Sequence, residues 1–335
     1  MIIDAHSHGF HRNYIEKLAD AGGDWGRKTT EGLMARLHKQ KPHAYDAKLR
    51  VQQLDRYGID FQVVTPIFDM DSNFISGDLT RALRYARTLN ECMAEFMEDS
   101  KGRLIACGTI PLECLDQGGI QEMERAINTL GLKAINIPTH IRGKPLDSPE
   151  FETFWAKAAE TGVPIYIHPL NPTGHKDRSY EAKYDLSHNF GWPFETELAL
   201  SSLVFSGLLE RYPEINVVSH HLGGGIPFFW GRIVETYDPK RQEQLIGRVL
   251  DKPLFEYFSR FYYDTAVGGS GAAIRCAYEV FGAERLVFAT DAPFGPGGGE
   301  SRLANYPDVI RSLGLPEEDN EKIFSENTCK IFKLS

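Results

Sequence analysis

The sequence lacks several features that would place it in particular classes of protein. It has only five cysteines in 335 residues and no CxxC pair, so neither a disulfide framework nor a zinc knuckle is indicated. It has no apolar run near the ~18 residues that a membrane span needs. Lysine and arginine number 37 against 46 acidic residues, and the net charge of −9 argues against a nucleic-acid surface. We therefore expect a protein that binds neither membranes nor nucleic acid.

The opening residues and the overall composition indicate where the protein is located and how many domains it has. Met1 leads directly into a short strand-like run, which predicts no secretory leader and, with scattered cysteines, favours a cytoplasmic location. A hydrophobic content of 42% is enough to fill a sizeable core. The chain carries no repeat, low-complexity tract or linker. We expect one domain over residues 1–335.

Eight short apolar runs recur along the chain, with helix-like segments between most of them. Their nearly continuous apolar character is typical of parallel strands covered on both faces. Eight alternations of strand and helix predict an α/β fold, a distorted (β/α)8 TIM barrel. The predicted strands are Ile2–Ala5, Phe61–Thr65, Leu104–Thr109, Lys133–Ile137, Pro164–Ile167, Ile215–Ser219, Phe261–Asp264 and Leu286–Ala289.

Two connections are too long for a simple strand-to-helix turn. Residues 9–47 follow strand 1 and residues 170–194 follow strand 5, and we expect inserted loops there. Barrel enzymes build their substrate contacts from loops at the C-terminal ends of the strands.

Polar side chains stand at the C-terminal ends of four predicted strands. They are His6 and His8 on strand 1, His168 on strand 5, His221 after strand 6 and Asp291 after strand 8. Residues i and i+2 of a strand project to the same side, so the two histidines of strand 1 can hold one ion together. Three imidazoles and a carboxylate suit Zn²⁺, and also Mn²⁺, Fe²⁺ or Co²⁺. The sequence predicts a divalent metal site at the barrel mouth.

Two further features narrow this hypothesis. Strand 4 ends in Ile137 and Pro138, with neither a lysine nor a glutamate to bridge two ions, so we expect a single metal.

His220 and His221 are adjacent after predicted strand 6, and alternation along a strand would point only one of them inward. We assign the inward position to His221, which precedes a glycine run, because an imidazole can donate or accept a proton in catalysis. His220 is then expected to be a hydrogen-bonded packing residue.

Several segments together resemble a known family. "IIDAHSH", "IYIHP", "GWPFETELAL", "SHHLGGGIPFFWGRI", "YYDTA", "ATDAPFG" and "ENTCKIFKL" are similar to the amidohydrolase-related family, in the branch of aminocarboxymuconate-semialdehyde decarboxylase and γ-resorcylate decarboxylase. The resemblance implies a distorted barrel with one divalent metal, commonly zinc or manganese. It implies that His6, His8, His168 and Asp291 are the metal ligands and that His221 is catalytic.

The resemblance also implies roles for two arginines. Arg232 matches a residue that binds the substrate carboxylate and that reaches, in decarboxylase members, into the neighbouring subunit of a dimer. A homodimer or higher oligomer is therefore expected. Arg50 corresponds less securely to a second substrate-binding arginine, and an ordinary cation on a helix surface is an equal alternative.

Two reaction classes fit this set of residues. In the first, a non-oxidative decarboxylase acts on a small aromatic or muconate-like acid, with His221 and Asp291 handling the proton that replaces CO₂. In the second, a hydrolase or hydratase uses a metal-activated water on a lactone, an amide or a C=C bond. The family branch and the match at Arg232 favour decarboxylation. Aromatic residues that could wall the substrate ring are Phe10, Trp25, Phe68, Trp192 and Phe294.

Overall fold

The computed structural model describes residues 1–14, 16, 17, 41–66, 78–171, 184 and 186–334. Eight parallel strands form its central sheet, hydrogen-bonded in chain order. These strands are β1 Ile3–Gly9, β2 Phe61–Pro66, β3 Leu104–Thr109, β4 Ala134–Pro138, β5 Ile165–His168, β6 Val217–Ser219, β7 Tyr262–Asp264 and β8 Leu286–Val287.

The sheet closes on itself where the two ends of the chain meet. Beside β1, the Ala5 N–H donates to Phe288 O at 2.7 Å and the His8 N–H donates to Ala292 O at 2.6 Å. The Asp291 N–H donates in return to His6 O at 2.9 Å. These bonds make a seam between β1 and the chain after β8, so the predicted (β/α)8 barrel is confirmed.

Helices surround this barrel and follow most of the strands. Two of the longer ones occupy Leu79–Asp99 and Gly271–Phe281. Gly207 adopts a φ of +73° and separates the helix Trp192–Phe205 from the short helix Leu208–Arg211. The helices are α1 Ala47–Tyr57, α2 Leu79–Asp99, α3 Gly119–Asn128, α4 Glu152–Thr161, α5 Trp192–Phe205, α6 Leu208–Arg211, α7 Ile226–Thr236, α8 Pro239–Ile246, α9 Leu254–Phe258, α10 Gly271–Phe281, α11 Glu300–Ser312, α12 Glu317–Glu321 and α13 Asn327–Phe332.

Strand β8 is two residues shorter than the sequence predicts. The Phe288 N–H donates to Ile323 O, and the next amides turn to side chains. The Ala289 N–H donates to Thr265 Oγ1 and the Thr290 N–H to Asp4 Oδ1, both at 2.9 Å. The backbone therefore leaves the ladder early and delivers Asp291 to the barrel mouth.

Two layers of apolar side chains fill the molecule. The larger layer lies between strands and helices and contains fully buried aromatic residues such as Phe96, Trp155 and Phe258. A smaller layer lies inside the barrel and includes Ala5 and Val63, with polar groups above it toward the C-terminal ends of the strands. None of the helices that the structure describes is long and apolar enough to cross a membrane.

Most of the two expected loop insertions lie outside the described residues, namely 18–40 within the first and 172–183 within the second. Those insertions stay predictions.

Candidate metal centre

Three imidazoles meet at the C-terminal mouth of the barrel. His6 and His8 project to one side of β1, where their Nε2 atoms lie 3.2 Å apart. His168, at the end of β5, brings its ring centroid to 6.1 Å from that of His6 and 5.1 Å from that of His8. One nitrogen from each of the three lies within 4.8 Å of the others. The spacing suits a single ion held between them.

The far nitrogen of each ring is already engaged by a fixed acceptor. The contacts are His6 Nδ1 with Asp264 Oδ2 at 2.7 Å, His8 Nδ1 with Thr65 Oγ1 at 3.0 Å, and His168 Nδ1 with Pro169 O at 2.9 Å. A proton on Nδ1 satisfies each contact and puts the lone pair of the ring on Nε2, where an ion can be bound. This arrangement around the outer nitrogen is typical of metal-binding histidines.

Asp291 supplies an oxygen to the same place. Its Oδ1 lies 3.2 Å from His8 Nε2 and 4.0 Å from His6 Nε2. Its Oδ2 accepts a hydrogen bond from Arg302 Nη1 at 2.6 Å. Asp291 thus places an oxygen beside two of the three imidazole nitrogens. Imidazole nitrogens together with a carboxylate oxygen are a donor set that fits a divalent transition metal.

A buried carboxylate beneath the imidazoles was missed by the sequence reasoning. Asp264 is fully buried at the end of β7, where its Oδ2 accepts from His6 Nδ1 and from His220 Nδ1 at 2.7 and 2.9 Å. Its Oδ1 accepts from the backbone N–H groups of His221 and Ala266 at 2.9 and 3.0 Å. The signal was present in "YYDTA", because Asp264 also ends a strand at the active face.

The charges of this layer follow from burial and pairing. Burial lowers the pKa of His6 to about 4, although Asp264 raises it in part. Burial alone would raise the pKa of Asp264, but His6 and His220 together hold it well below its usual range. At neutral pH the imidazole is therefore uncharged, as a ligand must be, above an ionised carboxylate.

The prediction that only one of His220 and His221 faces inward was wrong. Their ring centroids lie 3.6 and 5.6 Å from that of His6. Strand β6 ends at Ser219, and His221 adopts a φ of +52°, so the alternation of a strand no longer applies. His220 is hydrogen-bonded and fully buried, as expected for a packing residue.

His221 is held differently from the three imidazoles. Its Nδ1 lies 3.0 Å from Ala266 O, and its ring is partly exposed rather than buried. A second group of three, His6, His221 and Asp264, also lies within 4.8 Å. The Asp264 oxygens in that group already accept four N–H bonds, so we do not assign a second ion there.

Comparison with known proteins identifies the family. The sequence profile described as amidohydrolase matches residues 3–334 of this chain. The chain belongs to the amidohydrolase family. This amidohydrolase is 30% identical over 252 residues to 2-amino-3-carboxymuconate-6-semialdehyde decarboxylase of Dictyostelium discoideum, covering 75% of this chain and 68% of the relative. It is 26% identical over 305 residues to γ-resorcylate decarboxylase of Rhizobium sp. strain MTP-10005, covering 85% and 86%.

A solved structure shares the fold of this amidohydrolase. It is 5-carboxyvanillate decarboxylase from Novosphingobium aromaticivorans in complex with manganese and 4-hydroxy-3-methoxy-5-nitrobenzoic acid. The TM-score is 0.81 at 22% sequence identity, over 100% of this chain and 96% of that one.

Arg50 of this amidohydrolase is neither a helix-surface cation nor exposed to a substrate. Its side chain is fully buried, with Nη2 donating to His8 O at 2.6 Å and Nη1 donating to Gln62 Oε1 at 3.0 Å. Nε donates to His43 O at 2.7 Å. Arg50 therefore ties helix α1 to the backbone beneath a candidate ligand, and its contact with the substrate stays a prediction that this burial does not favour. Its packing below β1 could not be read from one basic residue in a helix.

Arg232 of this amidohydrolase lies away from its own candidate metal centre. It is exposed on α7, four residues after Phe228, which is 77% exposed on the same helix face. No ion pair of Arg232 is found among the residues that the structure describes. Arg232 is therefore open to solvent.

Two aromatic rings and a lysine flank the candidate ligands. The ring of Trp192 lies 5.6 Å from that of His168, and the ring of Phe294 lies 5.2 Å from that of His8. Lys41 Nζ stands 4.5 Å from the centroid of Phe294. Sequence reasoning missed this lysine, which no local pattern marks. Of the other aromatic candidates, Phe10 is fully buried in the core, and Trp25 and Phe68 lie outside the described residues.

Proposed function

We propose that this chain is a metal-dependent, non-oxidative decarboxylase of a small aromatic carboxylic acid. The observation that carries the proposal is the convergence of three imidazoles and one carboxylate between two aromatic rings, Trp192 and Phe294, at the barrel mouth. A flat ring placed between those side chains would meet the metal with one edge. The named relatives are decarboxylases of a carboxymuconate semialdehyde and of γ-resorcylate, which supports decarboxylation here.

His6, His8, His168 and Asp291 would hold one divalent ion, with Zn²⁺ as our first assignment and Mn²⁺ as the second. The donor set suits both ions, and the structural relative binds manganese. Such an ion, when bound, polarises a substrate oxygen and stabilises negative charge that develops as CO₂ leaves. Burial keeps His6 neutral, which favours ion binding.

His221 would carry the proton that replaces CO₂. The carbonyl of Ala266 accepts from its Nδ1 and so fixes the ring, which leaves Nε2 as the exchanging position. Partial exposure lets this imidazole exchange protons with solvent between turnovers. Asp291 is bound on both oxygens, so we assign it to the metal and make His221 the main proton carrier.

The substrate carboxylate needs a cation at the mouth. Lys41 meets this requirement within the chain, because it stands beside Phe294 and partial burial lowers its pKa while the nearby Asp291 raises it. The outward-facing Arg232 would serve the neighbouring subunit, where a guanidinium can grip a carboxylate with two hydrogen bonds. Lys41 thus takes the place in this proposal that Arg50 occupied in the sequence prediction.

We propose a homodimer built on the outer faces of α5 and α7. Large apolar side chains are exposed on these helices and in the turn before α5, namely Phe190 at 70%, Phe194 at 53%, Leu198 at 49% and Phe228 at 77%. An exposed apolar area of this kind marks an interaction site. Size-exclusion chromatography with light scattering tests it: Phe228→Asp is expected to convert the dimer to monomer, and an unchanged mass would exclude this face. The five free cysteines support a reducing compartment, and we propose the cytoplasm.

The reaction is tested by incubating metal-loaded protein with hydroxybenzoic acids and muconate-like acids while CO₂ release is measured. We expect release of CO₂ from at least one of them and none after metal removal by a chelator. Lactones, amides and unsaturated acids are screened in parallel for acid release or hydration. Turnover of this second group alone would establish the hydrolase or hydratase alternative and overturn the proposal.

A further inference from the structure

We propose that Arg302 is a positioning residue that orients Asp291 toward the metal. The inference rests on the proposed ligand role of Asp291. Arg302 lies on α11, eleven residues further along the chain, and neither the family resemblance nor the relatives' names assign it a role. Its guanidinium carries the only positive charge that the structure describes in a hydrogen bond to a candidate ligand's side chain.

The geometry holds the carboxylate in one orientation. Arg302 Nη1 donates to Asp291 Oδ2 at 2.6 Å and also approaches the Thr290 carbonyl oxygen at 3.3 Å. The opposite oxygen, Oδ1, faces His8 Nε2 at 3.2 Å. Rotation of the carboxylate about its bond to Cβ would break the ion pair. The hydrogen bond from Arg302 therefore occupies Oδ2 and orients Oδ1 toward the candidate metal position.

The backbone of Asp291 makes such support necessary. Its φ is +59°, in the left-handed region that residues other than glycine enter at a cost and keep only when neighbours hold them there. The Phe294 N–H donates to Asp291 O at 3.0 Å, and Arg302 Nη1 lies 3.5 Å from that same oxygen. One guanidinium thus holds both the main chain and the side chain of the candidate ligand.

A glycine leaves the space that this guanidinium occupies. Gly295 has a φ of +94°, and a Cβ atom there would lie 2.4 Å from Arg302 Nε. No side chain fits at that distance unless Arg302 moves. Gly295 therefore leaves room for the Arg302 side chain next to the loop that carries Asp291.

The test is the affinity for Zn²⁺, measured on the full chain by competition with a chromophoric chelator. Arg302→Gln is expected to weaken binding about 10- to 100-fold, the range typical when a partner of a ligand is lost. Arg302→Lys should lie between Arg302→Gln and the unsubstituted protein, because it keeps the charge but not the planar fork. Millimolar guanidinium ion should restore much of the affinity of Arg302→Ala.

A matched control is Arg56, which lies on α1 and contacts the start of the helix that carries Arg302. Arg56 pairs with Glu300 of α11 at 3.3 Å, and its side chain is 64% exposed. None of the contacts described for Arg56 involves a candidate metal ligand. Arg56→Gln should leave the Zn²⁺ affinity within about twofold. The melting temperature of each metal-free variant separates a local effect from general unfolding.

Unchanged affinity in Arg302→Gln overturns the inference. Weak binding that guanidinium ion does not rescue, together with a lowered melting temperature of the metal-free protein, would make Arg302 merely structural and overturn it too. The measurement needs no substrate, so it does not depend on which reaction the chain catalyses. Asp291→Asn is measured alongside: full affinity in that variant rejects the ligand set itself, which is a different failure.

Discussion

Changing the carboxylate of Asp264 tests how the chain prepares an imidazole for a metal. Asp264→Asn keeps the side-chain shape but replaces one acceptor oxygen with an NH₂ donor. Two of the four bonded groups are backbone N–H groups, of His221 and Ala266, which cannot change their protonation. The Asn oxygen must therefore take the Oδ1 position, which turns the NH₂ group toward Nδ1 of His6 and of His220.

The His6 ring then has to accept at Nδ1 and carry its proton on Nε2, the nitrogen that we assign to the metal. The hydrogen bond lost at 2.7 Å joins His6 to a charged group, and such bonds contribute about 1.5–3 kcal/mol. Loss of a ligand's partner typically weakens metal binding about 10- to 100-fold, or ~1.4–2.7 kcal/mol. The two estimates overlap, so we expect a loss of affinity in that range.

Chelator competition measures this affinity, and thermal unfolding of the metal-free protein reports on stability. Asp308→Asn is the matched control, because its carboxylate pairs with Arg311 on the surface and is 78% exposed. We expect the control to bind metal as the unsubstituted protein does. Equal metal affinity in Asp264→Asn would refute the reasoning, since the tautomer of His6 would then not depend on Asp264.

Three further changes have expected outcomes. His221→Asn should retain the metal but lower turnover by ~10²-fold or more, as measured by steady-state kinetics with metal analysis, and near-normal turnover would remove His221 from its proton role. Arg50→Met should destabilise the fold in denaturant titration by about 3–5 kcal/mol, because the carbonyls of His8 and His43 lose a buried charged donor, whereas a value under ~1 kcal/mol would contradict that role. Trp155→Ala should lower the free energy of unfolding by about 3–5 kcal/mol in the same titration, because its ring is fully buried in the core. Metal affinity should be unaffected, since none of the contacts described for Trp155 involves a candidate ligand.

The fold was predictable because its signals are local. Apolar runs of strand length alternate with helical segments, and each of the eight strands lies within about two residues of its predicted position, apart from the longer β1. The ends of the strands were harder to predict. After β8, for example, backbone N–H groups donate to the side chains of Asp4 and Thr265 and not to a neighbouring strand. The assignment of residues 1–335 to one domain stays a prediction.

The candidate ligands were predictable because each of them stands at or shortly after the end of a predicted strand. His6, His8 and His168 stand at strand ends, which the pattern indicates directly, and the structure brings them together. His220 and His221 were misjudged because a positive φ is invisible in a periodicity argument.

The cations around the site depend on packing between distant segments. Arg50 looked like a surface residue until its burial beneath β1 was seen, and Lys41 reaches Phe294 only through the tertiary fold. Single charged residues outside strands therefore carried too little information for an assignment.

The seam between β1 and the chain after β8 makes the ring of strands complete only when the last quarter of the polypeptide has been synthesised. His6 leaves the ribosome early, whereas Asp291 follows 285 residues later, and the two meet across that seam. A nascent or truncated chain that ends before Asp291 lacks both the closing backbone bonds and the acidic oxygen. An ion held by both His6 and Asp291 would link the two ends of the chain across this seam.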